Sequence, residues 1–183
     1  MAHSSSGGDF TIHNLDSSTA SKDGAIRAIL ALSNHIFDTS SGPPTHHSSL
    51  DEWYRRLSRP DSIVVYATPP PSGSRDPERE GAPNPGDEAL GFIFAHAKVD
   101  PQLPTRTLHV WLAGTTARAR GKGVFAALMK TLEQHARTRG IGTLSVCTFP
   151  DTFSNMFAIL QKTGWTVQAW LEDGKKVLMS KPV

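Results

Sequence analysis

ARARGKGVFAALM, residues 117–129, is the stretch from which the rest of this chain is read. Arg118, Arg120 and Lys122 alternate with Ala119, Gly121 and Gly123, and an apolar helical pattern starts at Val124. Val124, Ala127, Leu128, Leu132 and Ala136 recur at helical spacing, and Gly140 follows Arg137 and Arg139 as a C-terminal stop. A helix N-terminus exposes N–H groups that lack intrahelical partners and carries about half a positive charge. Glycines let an anion reach that backbone without meeting a Cβ, and flanking Arg and Lys add full charges. The stretch therefore reads either as a diphosphate cradle or as a solvated basic loop. It is not a P-loop, because Gly123 is followed by Val124 and not by Lys and Ser or Thr. Nor is it the dinucleotide fingerprint, which needs a third glycine in a parallel βαβ unit.

Working outward, the segment RTLHVWLAGT (106–115) predicts a strand immediately before the cradle, and TLSVCTF (143–149) predicts one after its helix. SIVVYAT (62–68) and ALGFIFAHAKVD (89–100) are two further strands. SNMFAILQKTG (154–164) reads as a helix capped by Ser154 and closed by Gly164. TVQAWL and KVLMSK then form a hairpin across EDGK. Towards the N-terminus, FTIHNL (10–15) alternates as a short strand, and SKDGAIRAILALSNHIF (21–37) places Ile26, Ile29, Leu30 and Leu32 or Ser33 on one helical face. A loop and a short helix follow over 41–60, capped by Ser48 or Ser49 with Glu52 in the box position. The order β, α, α, β, β, β, α, β, α, β, β predicts an α/β chain: a mixed sheet with helices on its faces.

At 183 residues the chain is long enough for one domain with a sizeable core. We expect a flexible N-terminus over 1–9, a single domain over 10–183, and a Pro/Gly-rich inserted loop at 69–88 that is either a lid or a passive excursion. One cysteine, Cys147, excludes an internal disulfide. The sequence contains no run of 18 apolar residues and no apolar secretory core near Met1, so a soluble cytoplasmic protein without a membrane role is expected. Charge is divided unevenly. Residues 118–183 hold ten Lys and Arg against four Asp and Glu, a net of +6, whereas residues 1–117 hold nine against thirteen, a net of −4. Either these are ordinary solvated faces, or one half meets an anion and the other a cation.

The spacing RARGKG, with two residues between Arg118 and Gly121 and one between the glycines, resembles motif A of the GNAT superfamily of N-acetyltransferases. GVFAALMKTLEQHARTRGIGTLSV is similar to that family's helix and next strand, and FSNMFAILQKTGW to its following helix, which normally ends in Gly-Phe. The resemblance implies a GNAT-type acyl-CoA N-acyltransferase fold with splayed central strands, and acetyl-CoA as cosubstrate. It implies that the backbone of Arg118, Ala119, Arg120, Gly121, Lys122, Gly123 and Val124 holds the pyrophosphate. Trp111, Leu112 and Ala113 would lie on the bulged strand that pairs with the pantetheine arm and polarises the acetyl carbonyl, and Ser154 would begin the helix flanking the thioester.

Acetyl transfer needs an unprotonated amine, yet at pH 7 only about one alkylamine in two thousand is in that form. His109, on the strand before the cradle and in the position where the resemblance implies a proton acceptor, is the candidate base; the alternative is a structural histidine on a sheet face. Trp111 shares its parity and is expected, with Trp53, to contribute to the acceptor pocket unless both are core aromatics. The family's usual general acid is a Tyr at the position of Leu160, which cannot donate a proton. That leaves Ser154, Thr148, Cys147, water or the ammonium product to protonate the thiolate. Cys147, between Val146 and Thr148, reads as a small packing residue. His46, His47 and Asp51 lack the spacing of a closed metal site, and no metal is expected.

The resemblance implies an acetyl-CoA-dependent N-acetyltransferase acting on a small amine, for which the acidic first half of the chain suggests a cationic acceptor, as monomer or homodimer. Two alternatives stand beside it: an acyl-CoA-binding regulatory protein of the same fold without turnover, for which Leu160 speaks, and a peptide or protein N-acetyltransferase. Nucleic-acid binding is not expected, because the basic residues are not interleaved with stacking aromatics.

Overall fold

The structure, a computed structural model, describes residues 10–18, 23–37, 49–70 and 89–183. Residues 1–9, His46 and His47, and residues 71–88 of the expected insertion lie outside the described residues. The elements follow the order read from the sequence: β1 (Thr11–Leu15), α1 (Asp23–Phe37), α2 (Leu50–Leu57), β2 (Ile63–Thr68), β3 (Gly91–Lys98) and β4 (Thr107–Thr115). After a single 3-10 turn at Ala117–Ala119 come α3 (Val124–Thr138), β5 (Thr143–Thr148), α4 (Ser154–Lys162), β6 (Thr166–Leu171) and β7 (Lys176–Pro182).

Local chemistry accounts for most of the boundaries. Ser49 caps α2, its Oγ accepting from the Glu52 N–H at 3.4 Å. The Glu52 carboxylate turns instead to Arg55 and Arg56, the latter at 2.6 Å. Gly140, at φ +67°, ends α3 in the left-handed conformation that a Cβ disfavours. One expected cap is corrected. The N-cap of α4 is Phe153, with no side-chain cap hydrogen bond, and Ser154 is already the first helical residue. A turn leads into the helix there, the Phe149 carbonyl accepting the Phe153 N–H at 2.8 Å, and the first-turn N–H groups receive no side-chain cap.

Among the described residues seven strands form one mixed sheet in the order β1-β2-β3-β4-β5-β7-β6. All neighbours are antiparallel except β4 and β5, which are joined through α3 and run parallel. One core lies between the sheet and α3, where Leu128 and Leu132 meet Val65, Ile93, Leu108 and Leu144. Ala127, expected inward, is half-buried, and Met129 takes the inward place instead. The second core lies under α1 and α2, where Ile26, Ile29, Trp53 and Leu57 pack on Val64, Phe92 and Phe94. Burying each such aliphatic side chain contributes about 1.5–3 kcal/mol, enough to fix which face every strand residue takes.

Candidate functional site

Strands β4 and β5 stay paired for only three residues: Leu108 with Leu144, His109 with Ser145 and Val110 with Val146. Beyond that point they run on to Thr115 and Thr148 without pairing. On the other edge of β4 the register with β3 shifts, Ala95 opposing Val110 and Phe94 opposing Leu112, so Trp111 is an extra residue in a β-bulge. The shift changes faces. Val110 belongs to the core beneath α3, whereas Trp111 and Leu112 both belong to the core beneath α1 and α2, and Ala113 turns back towards α3.

A cavity of about 340 Å³ fills the gap between the two strands. From the helix side Phe125, Met129, Met156, Leu160 and Trp165 line it; from the opposite face come His109, Trp111, Cys147, Lys98 and Lys176. The cavity therefore passes through the sheet, which two fully paired strands would not allow. Phe125, in the first turn of α3, carries its wall to the mouth of that helix.

At that mouth Gly121 and Gly123 have φ of +75° and +78°, and a Cβ built on either meets nothing within 4 Å. The glycines are thus required by backbone conformation, and the space beside them is open. Gly123 is the N-cap of α3, without a side-chain cap and without an acidic residue in the first turn. The first intrahelical bond runs from the Ala127 N–H to the Gly123 carbonyl at 3.0 Å, so the N–H groups of Val124, Phe125 and Ala126 precede it. Ala119 and Val124 bury their side chains in the core and pin the loop, while Arg118, Arg120 and Lys122 are exposed around it. An uncapped helix end ringed by three cations fits a diphosphate.

His109 is 8% exposed and tied into a buried chain: its Nδ1 lies 2.9 Å from the Ser145 hydroxyl, which lies 2.7 Å from the Thr107 hydroxyl. Burial, reinforced by the Lys98 ammonium, pushes its imidazole down to about 3. His109 is therefore neutral at physiological pH, unlike the near-neutral titration an exposed histidine would have. Next to it His96, also lowered chiefly by burial, stands with its ring 5.8 Å away and its Nε2 3.1 Å from Arg56. The Arg56 guanidinium lies 4.1 Å over the Trp111 ring.

Of the expected site residues, His109, Trp111, Leu112 and Ala113 meet at the cavity, and Arg118 to Val124 form the helix mouth. Two do not join them. Trp53 is 1% exposed, its ring closed in by Phe92, Phe94 and Trp111, so it supports the cavity wall from behind and has no face left for an acceptor. Ser154 is exposed and absent from the lining. Leu160 is 3% exposed and does line the cavity, and Thr148 and Cys147 are also in its wall. Tyr54 instead donates to Asp23 at 2.9 Å, and Tyr66 stacks on His13. Lys98, Lys176 and Arg56 went unread in the sequence because each looks like a surface cation until the strand order is known. Among the described residues no group of His, Cys, Asp and Glu is arranged to hold a metal ion, and no helix is long and apolar enough to cross a membrane.

The sequence matches the model of the acetyltransferase (GNAT) family over residues 37–165. No curated protein matches it. Among solved structures it is similar to the GNAT domain of S. lividans PAT, with TM-score 0.65 at 16% identity, covering 95% of this chain and 90% of that one. A chain of the NatC complex bound to Gag peptide and CoA superposes with TM-score 0.63 at 11% identity, covering 96% and 99%. The ribosomal-protein-S18-alanine N-acetyltransferase from Escherichia coli gives 0.58 at 14%, covering 95% and 94%. At these identities the likeness establishes a common fold.

Proposed function

Because the chain belongs to the GNAT family of acetyltransferases, we propose that it transfers the acetyl group of acetyl-CoA to the amine of a small acceptor. The observation that carries this reading is the cavity that begins beside Phe125, in the first turn of α3, and reaches through the opened sheet to the face that bears His109 and Trp111. Acetyl-CoA supplies an activated thioester. The backbone of Gly121 to Val124 and the cations around it hold the diphosphate, and the edge of β4 that faces β5, unpaired from Trp111 to Ala113, offers backbone groups to the pantetheine arm as an added strand would. The bulge at Trp111 leaves a backbone group outside the ladder, suited to polarising the acetyl carbonyl.

His109 has a different part from that of a strong base. With its imidazole near 3, taking a proton from an alkylammonium of about 10.4 is uphill by roughly 10 kcal/mol. The amine therefore reacts as the free base, and His109, its Nδ1 engaged by Ser145, uses Nε2 to orient it. Two lysines in the lining favour the neutral amine over a third ammonium. A new N–C bond forms, the C–S bond breaks, and the proton shed by nitrogen reaches the thiolate sulfur through water or a hydroxyl such as Thr148, since Leu160 has none to give. A cationic acceptor, expected from the acidic first half of the chain, enters this scheme only after losing the proton on its reacting nitrogen.

Incubation with acetyl-CoA and a pooled amine library tests the proposal: thiol should appear together with an acetamide identified by mass. Thiol that stays at the hydrolysis background while calorimetry registers CoA binding would support the second reading, an acyl-CoA-binding protein without turnover, which Leu160 favours.

A further inference from the structure

Two lysines flank the strands that carry the cavity. Lys98 ends β3 and Lys176 begins β7, so in the order β3-β4-β5-β7 they stand on either side of β4 and β5, and both line the cavity. Each is tethered by one carboxylate, Lys98 Nζ to Asp100 at 2.7 Å and Lys176 Nζ to Glu172 at 3.0 Å. An ammonium has three donors, so each retains capacity for another acceptor. Their side chains are 37% and 27% exposed, open enough to be reached and sheltered enough to be felt.

The charged groups that line the cavity are of one sign. Among the described residues its lining contains these two lysines and no carboxylate. Asp100 and Glu172, ion-paired to these lysines, are outside the lining. Both ammoniums help lower His109 and oppose the rise that burial causes at Cys147, while Asp100 acts against them at both groups and Glu172 at Cys147. Arg56, set against His96 and over Trp111, extends the positive row along β3 and β4. A polyamine would bring further ammonium groups against this wall, whereas an anionic group on the acceptor would be attracted to it.

We propose that the acceptor is an amine of amino-acid type, carrying a carboxylate drawn to the lysine-bearing wall of the cavity while its amine faces His109. The proposal rests on the acetyl-transfer reading and names its substrate class. The carboxylate takes no part in the bond changes: nitrogen gains the acetyl carbon, sulfur loses it, and one proton passes from nitrogen to sulfur. Lys98 and Lys176 are specificity-determining residues for the acceptor.

The test uses the full chain with CoA or acetyl-CoA and the proteinogenic amino acids, each beside its carboxamide and its decarboxylated amine. Binding to the protein–CoA complex is measured by calorimetry and turnover by thiol release. The preferred amino acid should exceed its own amide and amine by at least about tenfold in both readouts, the worth of one charge-assisted hydrogen bond. That ratio should collapse towards one in Lys98→Gln/Lys176→Gln and persist in Lys130→Gln, which removes the same charge from an exposed position of α3. If loss of the Lys98–Asp100 pair unfolds the double variant, Lys176→Gln alone should lower the ratio several-fold. A preference for amides or polyamines, or a ratio unchanged in the lysine variants, would overturn the proposal. Thiol release without carboxylate preference overturns it alone; carboxylate-dependent binding without thiol release overturns acetyl transfer and leaves the carboxylate site standing.

Discussion

Val110 faces Val146 at the last pair between β4 and β5, and the next residue along β4, Trp111, has no partner on β3. The loss of pairing on one edge of β4 and the bulge on its other edge thus fall at consecutive residues. Together they open the sheet and turn Trp111 towards the face where the acceptor would enter.

At the mouth of α3 the cradle depends on Gly121. Asn and Asp both tolerate the left-handed backbone found there, so the pair separates charge from strain. Gly121→Asp should lower CoA affinity by at least about a hundredfold through repulsion of the diphosphate, and Gly121→Asn should lose far less. Calorimetric affinities that are equal for the two variants would refute an anion site at this helix mouth.

Ser145 is fully buried between the Thr107 hydroxyl and the His109 imidazole. Removing its hydroxyl leaves a buried ring nitrogen without a partner, so Ser145→Ala should cost about 1–3 kcal/mol in urea denaturation. It should also lower acceptor turnover more than CoA affinity, because the imidazole loses its orientation. A stability equal to the parent would show that the hydroxyl does not hold His109.

The depressed imidazole of His109 has a consequence for stability. Between its ordinary 6.5 and about 3 the unfolded chain binds a proton at this residue and the folded chain does not. Its neutral burial is therefore harmless above 6.5, and stability is lost as pH falls through that window, at most about 1.4 kcal/mol per pH unit for one proton. His13, His96 and His135 are lowered as well and add losses of the same sign. His109→Gln should flatten the fall between pH 6.5 and 4.5, measured by denaturation at several pH values. A slope identical to the parent would place the lost stability elsewhere.

Much of the fold could be read along the chain because its signals are local. The glycine spacing, the helical recurrence from Val124 and the β-branched run at residues 62–68 each act within a few residues, and the order of elements came out as observed. The helix mouth was legible for the same reason. Trp53 was misread because an aromatic residue on a short amphipathic helix has the same pattern whether it lines a pocket or fills a core. Ser154 was misplaced because capping depends on backbone angles, and here Phe153 adopts them. His109 was found by strand parity, but its proton affinity depends on how deeply the sheet, Lys98 and Lys176 enclose it.

By itself, then, the sequence determined the element order, the glycine-built mouth of α3 and the absence of a hydroxyl at Leu160, all properties of residue type and near neighbours. The tertiary structure decided the rest: the bulge at Trp111, the parting of β4 from β5 beyond Val110, and the meeting of Lys98 with Lys176 on one cavity. Strand register and cavity charge arise from residues far apart in the chain, and only packing brings those residues within range of one another.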